Sequence, residues 1–501
     1  MIEKWFLGFS NLTMVDYSVL FASLAIMILI GFYAGRKEDS THDFFLGGRG
    51  IPRWAATLSF VATEISAVTI IAVPATAYKE NWAYLQLFIG SFASRFVLAA
   101  IFIPAFYQYN CTTIYEYLKH RFGAATQYTA TCFFFVTRLL GSGVRLTVAS
   151  LAVSLLLGWD LRPTIFLFVL IGILYIGYGG IKAIVWTNVW QTTTFLIGGI
   201  GTIWFLSTVV DGGLIGIFKT AAHAGKLTVF DWGPSIREPG FWTAIRTNPN
   251  IWWLAILNGF FGSMAAYGTD HELMQRLLTV ETRKKSQQAT LATPLAGFGV
   301  MILFLIIGAG LYAFYSQHPS IPLPQKLDDI YPFFANTQMP GLLRGIILSM
   351  VIMASIDSPL GSLTASFVTD IYKPLIQKNR DERHYLRVSR MMVVVFGVIL
   401  GLLAYMFSYL EGFLWWAFKI GGVTFGSLLG VFLLGFLTKK HSNIVNIFSM
   451  IFWAVVNAVL LILTEKKIFV VGWTWLILLG TFGTFMTGYL LGPLLEKPKK
   501  E

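Results

Sequence analysis

Long runs of apolar residues recur from one end of the chain to the other, and short polar segments separate them. Each run has roughly the 20 residues that a helix needs to cross the hydrocarbon core of a bilayer. The pattern therefore predicts an all-α polytopic membrane protein with about 13 transmembrane helices. The predicted spans are 16–35, 54–77, 84–108, 126–157, 162–181, 185–210, 251–276, 286–315, 338–371, 385–408, 412–437, 443–463 and 469–492.

Two of these spans are interrupted by polar or helix-breaking residues. Span 54–77 contains the polar stretch 63–66 and then Pro74. Span 251–276 contains several glycines and turns polar at 269–272. Interrupted helices at corresponding positions of two halves indicate an inverted-repeat transporter whose site lies near mid-membrane. The backbone carbonyls freed at such breaks are available to coordinate cations.

Two carboxylates fall inside predicted spans, Glu64 in the first interrupted span and Asp357 in span 338–371. A carboxylate at membrane depth is costly, and by default it marks a substrate or ion pathway. Both are flanked by hydroxyl side chains. The chain is therefore predicted to move a solute or ion across the bilayer.

Composition agrees with a membrane protein, since 56% of the 501 residues are hydrophobic and 12% are charged. The net charge of +12 comes from lysines and arginines in alternate short loops, beginning with 36–53. This positive-inside distribution predicts a cell-membrane protein with its N-terminus outside and its C-terminus in the cytoplasm. The surplus charge therefore reports topology and attraction to the lipid bilayer, and it does not indicate nucleic acid. No obligatory protein partner is evident.

Several short motifs together resemble one family, the sodium/solute symporters, over roughly residues 40–440. The motifs are FFLGGR at 44–49, YEYL at 115–118 with RF at 121–122, GGIKAIVWTN at 179–188, DH at 270–271 with QR at 275–276, and DS at 357–358 with TDIY at 369–372. The resemblance implies a LeuT-type inverted-repeat core of ten helices at 54–437. Segment 1–53 then supplies an extra N-terminal helix and the first cytoplasmic loop, and 438–501 supplies two C-terminal helices and a basic cytoplasmic tail.

The resemblance also implies where sodium binds. The principal site of the family joins backbone carbonyls of the first core helix to a carbonyl and hydroxyls of the eighth. The matching positions are Ala62 and Ile65 on the first helix, and Val351, Ala354 and Ser355 on the eighth. The chain departs from the family at Ala354, where serine is usual. For Ser355, and likewise for Ser358, the alternative is a hydrogen bond back to its own helix.

A second sodium site of some members uses an aspartate on the fifth core helix and hydroxyls of the eighth. Asn188 stands at the aspartate position, while Asp357 and Ser358 stand at the hydroxyl positions. The carboxylate is thus predicted to have moved across the same pocket. The alternative is that Asp357 hydrogen-bonds Asn188 and binds no ion.

The chain resembles the sialic acid carriers of the family at Pro52, 54–56, 74–75, 77–78 and Trp82, and this resemblance implies a solute site. The predicted solute-binding residues are Glu64, Ser66, Thr69, Tyr84, Tyr267 and Asp270. The arginine that holds the carboxylate of the acid sugar is replaced by Gly141, with Arg138 and Arg145 about one turn away.

An ionised Glu64 accepts hydrogen bonds and repels an anion, which favours a neutral, hydroxyl-rich solute. The alternative for Glu64 is pairing with an internal arginine.

These residues together predict a sodium-coupled secondary active symporter, not an enzyme, that imports a small polar organic solute by alternating access. A sugar or polyol is the first expectation for the solute, and a sialic acid-like or other monocarboxylate is the alternative. Sodium is the expected co-transported ion. From another class, a polytopic enzyme acting on lipid-linked substrates would gather its charged residues at one membrane face, whereas Glu64 and Asp357 lie mid-span.

Overall fold

The computed structural model describes residues 12–36, 38–157, 159–356, 359–409 and 413–495, and over these ranges its regular elements are helices. In chain order the helices are α1 (Met14–Ala34), α2 (Thr41–Leu46), α3 (Arg53–Glu64), α4 (Ala67–Lys79), α5 (Leu85–Val97), α6 (Ile103–Gln108), α7 (Ile114–Arg121), α8 (Ala124–Leu157), α9 (Leu161–Val209), α10 (Gly213–His223), α11 (Phe241–Thr247), α12 (Trp252–Gly268), α13 (His271–Leu278), α14 (Arg283–Gln317), α15 (Ile330–Gln338), α16 (Gly341–Ile356), α17 (Leu360–Ser366), α18 (Glu382–Tyr409), α19 (Phe413–Leu437), α20 (Ile444–Glu465) and α21 (Trp473–Leu495). The all-α prediction is confirmed.

Within the described part of the chain, seven helical segments are long and apolar enough to cross a membrane, or eight if α3 and α4 form one span. The 49-residue helix α9 covers two predicted spans, and its backbone reverses at Gly180 (φ 49°, ψ −141°). A side chain at that position would lie 2.4 Å from the Phe44 carbonyl oxygen, so only glycine fits. The total of 13 crossings stays a prediction.

The first predicted interruption is confirmed between α3 and α4. Helix α3 ends at Glu64, Ile65 is extended (φ −89°, ψ 112°), and the axes on either side differ by 64°. The Ser66 hydroxyl then caps α4 by accepting the backbone N–H of Thr69 (3.4 Å). Because α3 ends here, the carbonyls of its last turn have no partners within the helix.

The second predicted interruption is also confirmed, between α12 and α13. Helix α12 ends at Gly268, and the Asp270 carboxylate caps α13 by accepting the Glu272 backbone N–H (2.9 Å). Polar side chains that bond to the nearby backbone in this way compete with continuous helix. Counted in predicted spans after the one that contains α1, the broken helices are the first and the sixth, which is the spacing expected of an inverted repeat of five spans.

Close helix packing positions both breaks. Helices α5 and α12 approach until a methyl group at Gly90 would lie 1.9 Å from the Ile256 carbonyl oxygen, and one at Gly259 would lie 2.0 Å from the Leu87 carbonyl oxygen. Helix α1 is tied to α16 by a buried pair in which Asp16 accepts two hydrogen bonds from Arg344 (2.6 and 2.7 Å).

Candidate functional site

A cavity of about 730 Å³ lies between α4, α5, α12 and α14, and it extends past α19 to α20 and α21. The lining extends to Glu465 and 470–473, a segment that the sequence predicts on the outer side. Its lining includes the polar residues Glu64, Thr69, Tyr84, Ser91, Thr247, Asn258, Ser263, Tyr267, Thr464 and Glu465. Within the described residues, the cavity lining contains no lysine or arginine.

Glu64 lies at the base of this cavity and is paired with a residue that the sequence analysis did not name. Arg95 on α5 donates through Nη2 to both carboxylate oxygens of Glu64, at 3.2 and 3.4 Å. The Glu64 side chain is 14% exposed, whereas that of Arg95 is 1% exposed. The structure therefore favours the alternative that Glu64 pairs with an internal arginine.

Arg95 is held rigidly on its other sides. Its Nε donates to the Thr293 hydroxyl (3.1 Å) and its Nη1 to the Ser91 hydroxyl (3.4 Å). The guanidinium carbon lies 3.7 Å from the centre of the Tyr267 ring, a cation–π contact. Its signal in the sequence was a charge inside span 84–108, to which the membrane-depth rule applies as much as to Glu64.

Four more of the predicted solute-binding residues lie near Glu64. The Tyr267 hydroxyl donates to Glu64 Oε1 at 2.6 Å. Thr69 and the exposed Tyr84 line the cavity, and the hydroxyls of Thr69 and Ser66 lie 3.3 Å apart. The structure therefore brings Glu64, Thr69, Tyr84 and Tyr267 together around one space, with Ser66 beside it.

Asp270 is not among the residues that line this cavity, contrary to its predicted place in the solute site. It is 1% exposed and forms an ion pair with Arg138, which also pairs with Glu272. Arg276 contacts the other Glu272 oxygen at 3.7 Å. Asp270 lies outside the cavity lining because its carboxylate caps α13 and also forms an ion pair with the buried Arg138 of α8. Arg138 was one of two arginines predicted near the position of the carboxylate of an anionic solute. In the structure it is already paired with Asp270 and Glu272.

The residues predicted to bind sodium lie beside the first break, as far as they are described. Ala62 is buried in the last turn of α3, and Ile65 is the extended residue of the break. Ile65, Val351 and Ala354 belong to one buried cluster, which brings α16 against the break. Ser355 lies in α16, and its side chain is outside the described residues, as are Asp357 and Ser358.

Asn188 on α9 faces α3. Its amide nitrogen donates to the Thr63 hydroxyl (3.1 Å) and the Ser59 hydroxyl (3.2 Å) of α3. The residue is 2% exposed, so these bonds satisfy a buried amide. Asp357, the predicted partner of Asn188, lies outside the described residues.

Two broken helices, with a cavity between them that carries a few polar side chains, are typical of a polytopic secondary transporter. The model of the sodium:solute symporter family matches residues 44–452, and the chain belongs to that family. The chain is a sodium-coupled symporter: it co-transports sodium with a small solute, and it is not an enzyme.

Among similar proteins, the sodium/sialic acid symporter NanT of Aliivibrio fischeri is 30% identical over 96% of this chain and 94% of its own length. The sodium/sialic acid symporter SiaT of Proteus mirabilis is 29% identical, with 85% of each chain covered. Human sodium-coupled monocarboxylate transporter 1 is 26% identical over 87% of this chain and 71% of its own.

Fold similarity is seen with the solved substrate-bound, outward-open state of a Na⁺-coupled sialic acid symporter. That structure aligns with a TM-score of 0.85 and 24% identity over 97% of this chain and 98% of that one. The LeuT-type core expected from the sequence motifs is confirmed at the level of the fold.

Proposed function

We propose that the chain imports a sugar-sized, hydroxyl-rich solute with sodium, and that sialic acid-like sugar acids are the class to test first. The observation that carries this proposal is the ion pair between Glu64 and Arg95. An uncompensated Glu64 would repel an anionic solute. Because the buried Arg95 balances the charge of Glu64, this repulsion no longer excludes an anion. The full-length relatives named for sialic acid support the same class.

A neutral sugar or polyol is the second candidate. It is favoured by the cavity lining, in which the described residues offer carboxylate, hydroxyl and amide groups but no cationic side chain. The position of the family's carboxylate-binding arginine is Gly141, where an added methyl group would meet nothing within 4 Å. A neutral solute needs no replacement for that arginine.

We place one sodium ion at the backbone carbonyls of Ala62 and Ile65. Val351 and Ser355 on the facing helix supply its other ligands. The buried cluster that holds Ile65 and Val351 supports this position. A second ion is proposed at Asp357 and Ser358 near Asn188. Sodium is a hard cation, and by analogy with other hard cations it takes oxygen ligands, which all of these groups supply.

Orientation in the membrane and the division into segments apply to the whole chain. We place it in the cell membrane with its N-terminus outside, and we divide it into the extra helix at 1–53, the transport core at 54–437 and the C-terminal helices at 438–501. The alternation of basic loops supports the orientation. No protein partner is included in this scheme.

Uptake into proteoliposomes tests the solute class. Purified protein is reconstituted, an inward sodium gradient is imposed, and accumulation of radiolabelled N-acetylneuraminate is compared with that of galactose and mannitol. Uphill uptake of N-acetylneuraminate that needs sodium is expected, and a potassium gradient is the control. Sodium-driven uptake of galactose or mannitol alone would establish the second candidate instead.

A further inference from the structure

The base of the cavity exposes one member of a buried ion pair and hides the other. A solute entering the cavity meets the Glu64 carboxylate, which is 14% exposed, and not the Arg95 guanidinium, which is 1% exposed. Arg95 nevertheless cancels the charge of Glu64. The pair therefore presents a hydrogen-bond acceptor with little net charge.

As far as the described residues show, Glu64 retains capacity to accept one more hydrogen bond. A carboxylate has about four lone-pair sites. Oε1 accepts from Arg95 (3.4 Å) and from the Tyr267 hydroxyl (2.6 Å), and Oε2 accepts from Arg95 (3.2 Å). Gly297 faces Oε2, and even an added methyl group there would lie 3.6 Å from that oxygen. The free acceptor site on Oε2 thus has room beside it.

Each nitrogen of the Arg95 guanidinium already donates to a protein oxygen, which limits what a solute can contact at this pair. Thr293 and Ser91 take its Nε and Nη1, and the Tyr267 ring covers its face. A solute carboxylate would have to displace Glu64 or Ser91 to reach the guanidinium, whose side chain is 1% exposed. A solute hydroxyl or amide N–H can reach Glu64 directly.

We propose that Glu64 and Arg95 act together as the specificity-determining pair of the solute site. The pair binds a hydroxyl or amide N–H donor on an uncharged part of the solute, and it excludes both carboxylate and ammonium groups from that position. This inference rests on the proposed function. For a sugar acid it requires the carboxylate to lie elsewhere in the cavity, away from Glu64.

The test measures binding selectivity of purified protein in saturating sodium. Three probes of related shape are titrated by calorimetry: N-acetylneuraminate as the anion, N-acetylmannosamine as the neutral sugar and mannosamine as the cation. The variants are Glu64→Gln, Arg95→Gln and the double variant. The unliganded melting temperature of each variant reports folding separately from selectivity.

Opposite shifts are expected from the two single variants. Glu64→Gln leaves a buried cation and should shift the dissociation-constant ratio by about tenfold toward the anion over the neutral sugar. Arg95→Gln leaves an uncompensated carboxylate and should shift selectivity by about tenfold toward the cation. The double variant restores neutrality and should return both ratios close to wild-type values, the non-additivity expected of contacting residues.

Shifts in the same direction, or unchanged ratios in folded variants, would overturn the inference and leave the proposed function standing. If a single variant does not fold, Arg95→Lys and Glu64→Asp carry the test, because both preserve the charges. They should retain both ratios, and a tenfold change in either ratio contradicts the proposal. If the wild type binds none of the three probes with sodium, the proposed solute class itself fails, together with this inference.

Discussion

Each of the two buried carboxylates Glu64 and Asp270 is stabilised by one arginine from another helix. Arg95 reaches Glu64 from α5, and Arg138 reaches Asp270 from α8. Removing one member of such a pair leaves an uncompensated buried charge, which costs several kcal/mol. The two pairs differ in access, because Glu64 borders the cavity and Asp270 does not. Access, and not the charge itself, makes Glu64 the solute-binding candidate.

Another buried carboxyl, that of Glu38, lies outside the spans and makes stability depend on pH. Burial raises the pKa of Glu38, in the loop after α1, to about 7, and Lys182 at 3.3 Å only partly opposes this. Because the folded-state pKa lies above the ordinary value of 4.5, the folded protein holds a proton that the unfolded chain has released. Stability should therefore fall as the pH rises from 4.5 through 7.

We expect Glu38→Gln to flatten this dependence. The melting temperature of the wild type should fall between pH 5.5 and pH 8, and that of the variant should fall less, so that the variant is the more stable at pH 8. Glu281→Gln is the control, since Glu281 is 63% exposed and pairs only with Lys285 at the surface. Parallel curves for wild type and Glu38→Gln would contradict the assignment.

The proposed sodium ligands give a prediction at one hydroxyl. Ser355→Ala should raise the sodium concentration for half-maximal uptake at least several-fold, because the ion loses an oxygen ligand. Ser349→Ala is the matched control in the same helix, as the Ser349 hydroxyl donates to the Gly345 carbonyl (2.8 Å). Sodium activation curves in proteoliposomes measure both variants. Equal activation of Ser355→Ala and wild type would remove Ser355 from the sodium site.

At the scale of helices, the breaks could be predicted and the pairing between helices could not. Polar residues at membrane depth marked both breaks, because 63–66 and 269–272 offer local capping groups that compete with helix. The partner of Glu64 depends on how α5 packs against α3, α12 and α14, which no local pattern specifies. The partner of Asp270 could not be predicted for the same reason: its carboxylate pairs with Arg138 of α8, and Asp270 is not among the lining residues of the cavity described above.

The packing that brings Arg95 to Glu64 depends on the close approach of α5 and α12. Gly90→Ala should destabilise the protein by about 1–3 kcal/mol, because the added methyl group would overlap the Ile256 carbonyl and push the helices apart. Gly299→Ala is the matched control in a helix, since nothing lies within 4 Å of that methyl position. Melting temperatures in detergent compare the two variants. Equal melting temperatures would show that the contact relaxes without cost.

At the scale of the whole molecule, the number of sodium ions sets how far the solute can be concentrated. One sodium ion that enters down an inside-negative potential of 100 mV contributes about 2.3 kcal/mol. That free energy supports roughly fifty-fold accumulation, since each 1.4 kcal/mol is tenfold. A second coupled ion would square this limit. The proposed second site near Asn188 therefore determines the transport capacity and not only the affinity for sodium.

The charge at this second site is expected to matter more than the helix that carries it. Asp357→Ser should lower the sodium-to-solute ratio, because it removes the carboxylate ligand that we propose for this ion. Adding Asn188→Asp should restore the ratio at least partly, since Asn188 already faces α3 beside the first break and would return a carboxylate to the same pocket. Fluxes of radiolabelled sodium and solute at a clamped potential measure the ratio, and Asn188→Asp alone is the control. The second site is refuted if Asp357→Ser leaves the ratio unchanged, and the shared pocket is refuted if the double variant is no better than the two single effects combined.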